Sequence, residues 1–121
     1  MLRLLNAIKP EITEVLDGIP GGLARKEDEQ GVALVPSWWL RSEPSFRLSA
    51  LQDGCVVVLD IWTTKQGEAD AALRELEHLR DFPAGGASFH RQSGGVLHEE
   101  PEVYRAFVRW EAVYFSGVAS G

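Results

Sequence analysis

The sequence predicts an α+β domain with an antiparallel or mixed sheet of four to five strands and two to three helices mainly on one face. Its 121 residues fit a single domain over 1–121. Hydrophobic residues make up 45% and charged residues 25%, as is usual for a globular chain with a packed core. Segments with a helical apolar period also alternate with segments that have strand character.

The first predicted element is a helix over residues 2–17. Pro10 either kinks this helix or occupies the first turn of a second one. A short strand is expected over residues 31–35, followed by an irregular stretch that contains Trp38 and Trp39 and runs to Pro44. The apolar positions that predict the helix are Leu2, Leu5, Ile8, Ile12, Val15 and Leu16.

A central β-hairpin is predicted around Asp53-Gly54. Residues 45–51 alternate, whereas residues 55–62 are almost continuously apolar, which is typical of a strand buried on both faces. Asp-Gly suits a two-residue type I′ turn, and this turn fixes the register of the two strands. The register places Arg47 opposite Asp60.

The second half of the chain is predicted to contain a helix over Glu68–Asp81 and another hairpin. Residues 87–91 and 96–99 form the strands of that hairpin, around Ser93-Gly94-Gly95. Residues 103–115 have two interpretations. Acids and Pro101 at the start, with helical apolar spacing, favour a helix, whereas the aromatic and β-branched residues favour a strand. We prefer the helix.

Asp60, His90 and His98 are the polar residues that most need an explanation. Asp60 lies inside an apolar strand, where it acts either as a general base or ligand-binding acid, or as the partner of Arg47 in an ion pair. We favour the ion pair. His90 and His98 face each other if the loop is Ser93-Gly94-Gly95, but without a secure third ligand we predict no metal site and no cofactor.

Other catalytic signatures are weak. Cys55 begins an apolar strand and is interpreted as a small core residue. His78 is expected on the solvated face of a helix. The glycine clusters match neither phosphate-binding loops nor the hydrolase nucleophile elbow, so we predict no catalytic residues.

Charge and cysteine content narrow the partners and the compartment. A net charge of −6 argues against nucleic acid, because a phosphate-binding protein normally has a basic face. A single cysteine, the lack of a leader-like start and the lack of a long apolar run predict a cytoplasmic protein that is not in a membrane. The acidic balance suits solubility or a basic protein partner.

The Trp38-Trp39 pair is the predicted partner-binding surface. Neighbouring side chains of an extended segment point in opposite directions, so one tryptophan is expected in the core and the other on the surface. Tryptophan is enriched at the energetic centres of protein interfaces. The acids expected to form a polar rim are Glu27, Asp28, Glu29 and Glu43.

Two functions follow from these features. The first is a non-catalytic protein that binds a protein partner through an acidic, Trp-bearing surface. In size, charge and α+β character the chain resembles bacterial immunity proteins, and the resemblance, which no residue motif carries, implies an inhibitor of a cognate toxin. The alternative is a small enzyme or ligand-binding domain with a pocket between the sheet and the C-terminal segment. A deep pocket holding two of Asp60, His90 and His98 would favour this alternative.

Overall fold

A computed structural model describes residues 2–17 and 37–115 of the chain. The described part contains the helices α1 (Leu2–Asp17) and α2 (Gln66–Leu76) and the strands β1 (Ser37–Ser42), β2 (Phe46–Arg47), β3 (Gln52–Thr63), β4 (Asp81–Ala84), β5 (Ala87–Glu100) and β6 (Val103–Phe115). All strands join one antiparallel sheet in the order β1-β3-β6-β5-β4, with β2 also paired to β3. The α+β class is confirmed. The described sheet has six strands, more than the four to five predicted.

The hydrophobic core cluster contains residues of both described helices and residues from one face of the two long central strands, β3 and β6. Along β3 and β6 every second side chain belongs to this core, as the alternation of a strand requires. We call this side of the sheet the core face and the opposite side the outer face. The core residues of the helices and central strands are Leu4, Ile8, Ile12, Leu16, Cys55, Val57, Leu59, Ile61, Ala69, Ala72, Leu76, Ala106, Val108, Trp110, Ala112 and Tyr114.

Helix α1 is a single helix that contains Pro10. Pro10 therefore lies within one helix and does not begin a second one. Pro10 has no N–H to donate to the carbonyl one turn earlier, but it lies on the exposed side of the helix, where water can satisfy that group. Neither described helix is long and apolar enough to cross a membrane.

The predicted turn at Asp53-Gly54 is wrong, because both residues lie inside β3. They pair on one side with β2, where Phe46 lies opposite Gly54, and on the other side with β6. The turn lies earlier, where the Leu48 N–H donates to the Gln52 carbonyl at 2.9 Å. Two flanking ladders outweigh the local preference of Asp-Gly for a turn. Gly54 is suited to its place because a Cβ there would lie 2.9 Å from the Phe46 ring.

The predicted register of β3 is wrong for the same reason. The second half of this strand pairs with β1, so that Trp38 lies opposite Ile61 and Trp39 opposite Asp60. The stretch around the two tryptophans is therefore a strand and not an irregular segment. A buried 12-residue strand needs hydrogen-bond partners along its whole length, and β1 supplies them where the short β2 ends.

The predicted hairpin around Ser93-Gly94-Gly95 is also wrong, because β5 is one continuous strand from Ala87 to Glu100. Irregularities in its pairing with β6 fall at Arg91/Ser93 and His98/Glu100, and they accommodate the polar and glycine residues without a turn. The turn between β5 and β6 is at Pro101-Glu102. Proline followed by a positive φ, here 69° at Glu102, matches a type II turn.

Residues 103–115 form strand β6, so the preferred helix interpretation is wrong and the strand alternative is correct. Pro101 and its neighbouring acids indicate a hairpin turn here instead of a helix start. Helix α2 ends at Leu76, before the predicted Asp81, which begins β4 instead. The turn between β4 and β5 is Gly85-Gly86, and both glycines have a positive φ, as in the type I′ turn that was expected elsewhere.

Candidate binding site on the outer face of the sheet

Around Asp60, the strand register arranges outer-face side chains in three rows that cross the sheet. Residues paired across strands lie about 5 Å apart and share a face. The rows are Arg41, Val58 and Arg109; Trp39, Asp60 and Phe107; and Trp62, Arg105 and Leu97.

Asp60 is the central charged residue of this face. Only 8% of it is exposed, yet both carboxylate oxygens accept hydrogen bonds. Arg41 Nε donates to Oδ2 at 3.3 Å, and Arg105 Nη1 donates to Oδ1 at 3.0 Å. The predicted partner Arg47 instead pairs with Asp53 at 3.2 Å. Asp60 is therefore an ion-paired residue, but its partners come from β1 and β6.

The arginines of the outer face have further contacts. Arg105 Nε donates to Glu99 Oε1 at 2.7 Å, and its guanidinium carbon lies 5.4 Å from the centre of the Trp62 ring, within cation–π range. Arg109 Nη2 donates to Glu43 Oε1 at 2.7 Å. These contacts hold the long arginine side chains across the sheet.

A concave pocket of about 180 Å³ opens between the rows. Its lining consists of Arg41, Val58, Asp60, Leu97, Arg105, Phe107 and Arg109. Three of these seven residues are arginines and one is an aspartate, so the lining has a formal charge of +2. The lining alone is therefore formally cationic on a chain whose net charge is −6, and the carboxylates of Glu43 and Glu99, outside the lining, balance this charge.

The predicted partner-binding residues separate in the structure. Trp38 is 5% exposed and belongs to the core, whereas Trp39 is half-buried in the middle row of the outer face. The expectation that the two rings point in opposite directions agrees with this placement. Glu43 lies beside the same face, bound to Arg109. The acids at positions 27–29 lie outside the described residues.

His90 and His98 do not face each other, because both belong to the single strand β5. His90 Nδ1 lies 2.9 Å from the Asp81 carboxylate, and the ring of His98 stacks on Tyr104 with centres 4.7 Å apart. Within residues 2–17 and 37–115, no group of three or more His, Cys, Asp or Glu side chains could hold a metal ion.

Cys55 is fully buried in the core cluster. Burial raises the pKa of its thiol, so the nucleophilic thiolate is disfavoured. His78 is exposed and lies after the end of α2. Neither residue is placed for nucleophilic chemistry.

Exposed apolar side chains at one end of the sheet were not recognised from the sequence. Phe46 is 40% exposed, Leu48 45% and Phe115 62%. Phe46 and Leu48 cover Gly54, while Phe115 lies opposite Gln52 in the β3–β6 ladder. In the sequence, Phe46 and Leu48 belong to the alternating pattern of residues 45–51, which does not show that the face they share is exposed.

No protein-family model matches the sequence, and no curated protein is significantly similar to it. Functional interpretation therefore depends on the outer face, the pocket and the charges of this chain.

Proposed function

We propose that the chain is a non-catalytic binding protein that engages a protein partner through the outer face of its sheet, around Trp39. The composition of this face supports the proposal. Its three rows contain three aromatic residues, three arginines and no lysine. Protein interfaces are enriched in aromatic residues and arginine and depleted in lysine, and their energetic centres are enriched in tryptophan and arginine.

The exposed side chains of Phe46, Leu48 and Phe115 give further support. Successive side chains of a strand alternate between its faces, so Gln52 and Gly54 lie on the same face as Asp60. The apolar side chains that lie next to Gln52 and Gly54 therefore extend the outer face. Clustered exposed apolar residues mark interaction sites more often than isolated ones do. A partner that covers the outer face would remove these side chains from water.

An enzyme or small-ligand site has less support. Of Asp60, His90 and His98, only Asp60 lines the pocket. Both of its oxygens already accept hydrogen bonds from guanidinium groups of the protein, so the carboxylate has a structural role in the sheet. The alternative also expected a pocket between the sheet and the C-terminal segment. This pocket is instead lined by strands of one sheet, and the C-terminal segment is one of those strands, β6.

An immunity-type inhibitor of a toxin is the finer form of this proposal. A small acidic chain can bind a partner rapidly, because its net charge of −6 attracts a surface of opposite sign over a distance. An inhibitor of this kind needs no chemistry of its own, since it acts by covering the partner's working surface. A basic toxin is the partner that the overall charge favours.

The proposal is tested by affinity capture from the cell of origin, followed by a direct measurement of affinity with the identified partner. A Trp39→Ala/Arg41→Ala variant removes two outer-face side chains, and Glu75→Ala on the exposed side of α2 is the matched control. We expect the wild type and the control to bind equally, and the double variant to bind at least about tenfold more weakly. Circular dichroism establishes that all three proteins are folded.

Capture of no specific partner by the wild type would contradict the proposal. So would a partner that the Trp39→Ala/Arg41→Ala variant binds as tightly as the wild type does. The toxin form has its own test, because a captured partner without toxic activity, or with activity that the chain leaves unchanged, would refute it.

A further inference from the structure

We propose that the pocket between Arg41, Arg105 and Arg109 binds a carboxylate that an acidic side chain of the protein partner inserts into the outer face. This inference rests on the proposed function and specifies the chemistry of its central contact. It also reverses, for this one position, the expectation of a basic partner that the overall charge of the chain suggests.

The first support is the imbalance of charge inside the pocket. Asp60 is the acidic residue among the seven that line the pocket, and it accepts hydrogen bonds from two of the three arginines, Arg41 and Arg105. Glu43 and Glu99 bind Arg109 and Arg105 from outside the lining. The three guanidinium groups therefore line the pocket itself, whereas two of the three carboxylates that balance their charge, those of Glu43 and Glu99, lie outside the lining.

The second support is the number of donors that remain. A guanidinium has five N–H donors in a planar fork. Within the described part of the chain, Arg41 donates through Nε to Asp60, and Arg109 donates through Nη2 to Glu43. Both guanidinium groups keep further N–H groups, and both residues belong to the same row across the sheet, on either side of Val58.

The third support is the environment of these donors. Val58, Leu97 and Phe107 form the apolar part of the lining, and Val58 beneath them is 1% exposed. Hydrogen bonds to an ion are stronger where water is partly excluded. Arginine pairs with a carboxylate through two parallel hydrogen bonds to its two oxygens. A ligand with an amide has only one such oxygen, and a ligand with an ammonium group has none.

The volume of the pocket limits the ligand to one side chain. At about 180 Å³, the pocket admits the end of a glutamate or aspartate but not a helix or a folded loop. The surrounding aromatic residues would then contact the rest of the partner. An acidic side chain would thus act as the central anchor of the interface.

The test uses the free protein and three short peptides with blocked ends, Gly-Glu-Gly, Gly-Gln-Gly and Gly-Lys-Gly. Binding is followed by NMR, through the Nε–H signals of the arginine side chains and the indole signals of the tryptophans. We expect saturable shifts of the Arg41 and Arg109 signals with Gly-Glu-Gly, with a Kd of about 1–10 mM for so small a ligand. Gly-Gln-Gly and Gly-Lys-Gly are expected to give no saturable shift.

The variants are Arg41→Gln, Arg109→Gln and the double substitution, with Arg74→Gln on the exposed surface of α2 as the matched control. The double variant is expected to bind Gly-Glu-Gly at least about tenfold more weakly, and the control to bind like the wild type. Arg41 has a 53% exposed side chain, so the single Arg41→Gln variant provides the measurement if the double variant does not fold.

No saturable shift in the wild type, equal binding of Gly-Gln-Gly, or undiminished binding by folded Arg41→Gln and double variants would each overturn the proposal. These titrations need no partner. A failure of the carboxylate site is therefore distinct from a failure of the proposed function, which the capture experiment measures separately.

Discussion

At the scale of single residues, Asp60 determines how the outer face is organised. Its carboxylate joins β3 to an arginine of β1 and an arginine of β6, so one nearly buried side chain connects three neighbouring strands. Removal of one partner from such a group leaves the opposite charges partly desolvated and unpaired. The stability of the sheet should therefore depend on Asp60 more than on the exposed ion pairs of the same molecule.

The Asp60→Asn variant is expected to lower the free energy of unfolding by about 2–4 kcal/mol, since the amide has no charge for the two guanidinium groups. Asp53→Asn is the matched control, because Asp53 pairs with Arg47, whose side chain is 63% exposed, and its loss should cost at most about 1 kcal/mol. Urea denaturation measures both values. Equal losses in the two variants would show that Asp60 has no special role.

A double-mutant cycle identifies the partner of Asp60. Arg105→Gln and Asp60→Asn should give a combined loss that differs from the sum of the single losses by at least about 0.5 kcal/mol. Arg47→Gln and Asp60→Asn should be additive, since Arg47 contacts Asp53 instead. Coupling to Arg47 and additivity with Arg105 would contradict the register described above.

Cys55 is expected to be chemically inert in the folded protein. It is the chain's one cysteine, so a single alkylation site can be followed by mass spectrometry. Iodoacetamide should modify the native protein at least about a hundredfold more slowly than the protein in guanidinium, because a buried thiol reacts only after local opening. Equal rates in the two conditions would place the thiol at the surface.

The raised pKa of the Cys55 thiol also predicts a dependence of stability on pH. The unfolded chain releases the thiol proton at a lower pH than the folded chain does. The stability associated with the neutral thiol is therefore complete below the unfolded-state pKa, about 8.5, and is lost as the pH rises through the folded-state value. Comparison with Cys55→Ala at pH 7 and pH 10 isolates this contribution.

At the scale of whole elements, helices and strands with a strong apolar periodicity were predictable from the sequence, whereas the positions of the turns were not. Helix α1, most of α2 and the buried character of β3 follow directly from their apolar patterns. The hairpin turns did not, because Asp53-Gly54 has the better local turn sequence while the sheet uses Pro101-Glu102. Local preferences of about 1 kcal/mol are smaller than the hydrogen bonding and burial that a 13-residue strand such as β6 gains in the sheet.

The misassignment of β6 also concealed the candidate site. Arg105, Phe107 and Arg109 all share one face only if the segment is a strand, because a helix would keep the two arginines together but turn Phe107 away from them. The aromatic and β-branched composition of residues 107–115 was the available signal for a strand. Trp39 could be selected from the sequence, and Arg41 lies two residues away on the same strand, but Arg105 and Arg109 could not be placed beside them because β6 is distant in the chain.

Strand β5 should be sensitive to any side chain added at Gly94. A Cβ there would lie 2.6 Å from Arg91 Nη2 and 3.0 Å from the Phe107 carbonyl oxygen, so the Arg91 side chain must move and the Phe107 carbonyl must give way by a few tenths of an ångström. Gly94→Ala is expected to lower the free energy of unfolding by about 1–3 kcal/mol. Denaturant titration of purified variants measures the change.

Gly67→Ala is the matched control for Gly94. A Cβ at Gly67 meets nothing within 4 Å, and the residue lies in the first turn of α2. Alanine restricts the unfolded chain and favours the helix, so this variant should gain about 0.5–1 kcal/mol. If Gly94→Ala were as stable as the wild type, β5 would have to accommodate the added Cβ by a small local movement without loss of its pairing with β6.

At the scale of the whole molecule, the net charge of the chain and the formal charge of the pocket lining have opposite signs. The chain has 18 acidic and 12 basic residues, yet arginines predominate in the pocket. Charge over the whole surface controls long-range attraction, whereas the contacts within a pocket control which group binds. A partner with a basic surrounding surface and one central acidic side chain would satisfy both.

The described elements share one core, which leads to a prediction for the unfolding of the chain. Strands β3 and β6 supply alternate residues to the core and to the outer face, so the outer face cannot lose its strand pairing while the core remains intact. Unfolding in urea should therefore be a single cooperative transition, with a slope of about 1–3 kcal/mol per molar.

Tryptophan positions make this prediction measurable. Trp38 and Trp110 lie in the core, and Trp39 and Trp62 lie on the outer face, so a Trp39→Phe/Trp62→Phe variant reports on the core alone. Its fluorescence midpoint should coincide with its own midpoint by far-UV circular dichroism. The wild type, in which all four tryptophans contribute, should show the same coincidence. Separate midpoints would mean that the two faces unfold independently and that the chain is not one cooperative domain.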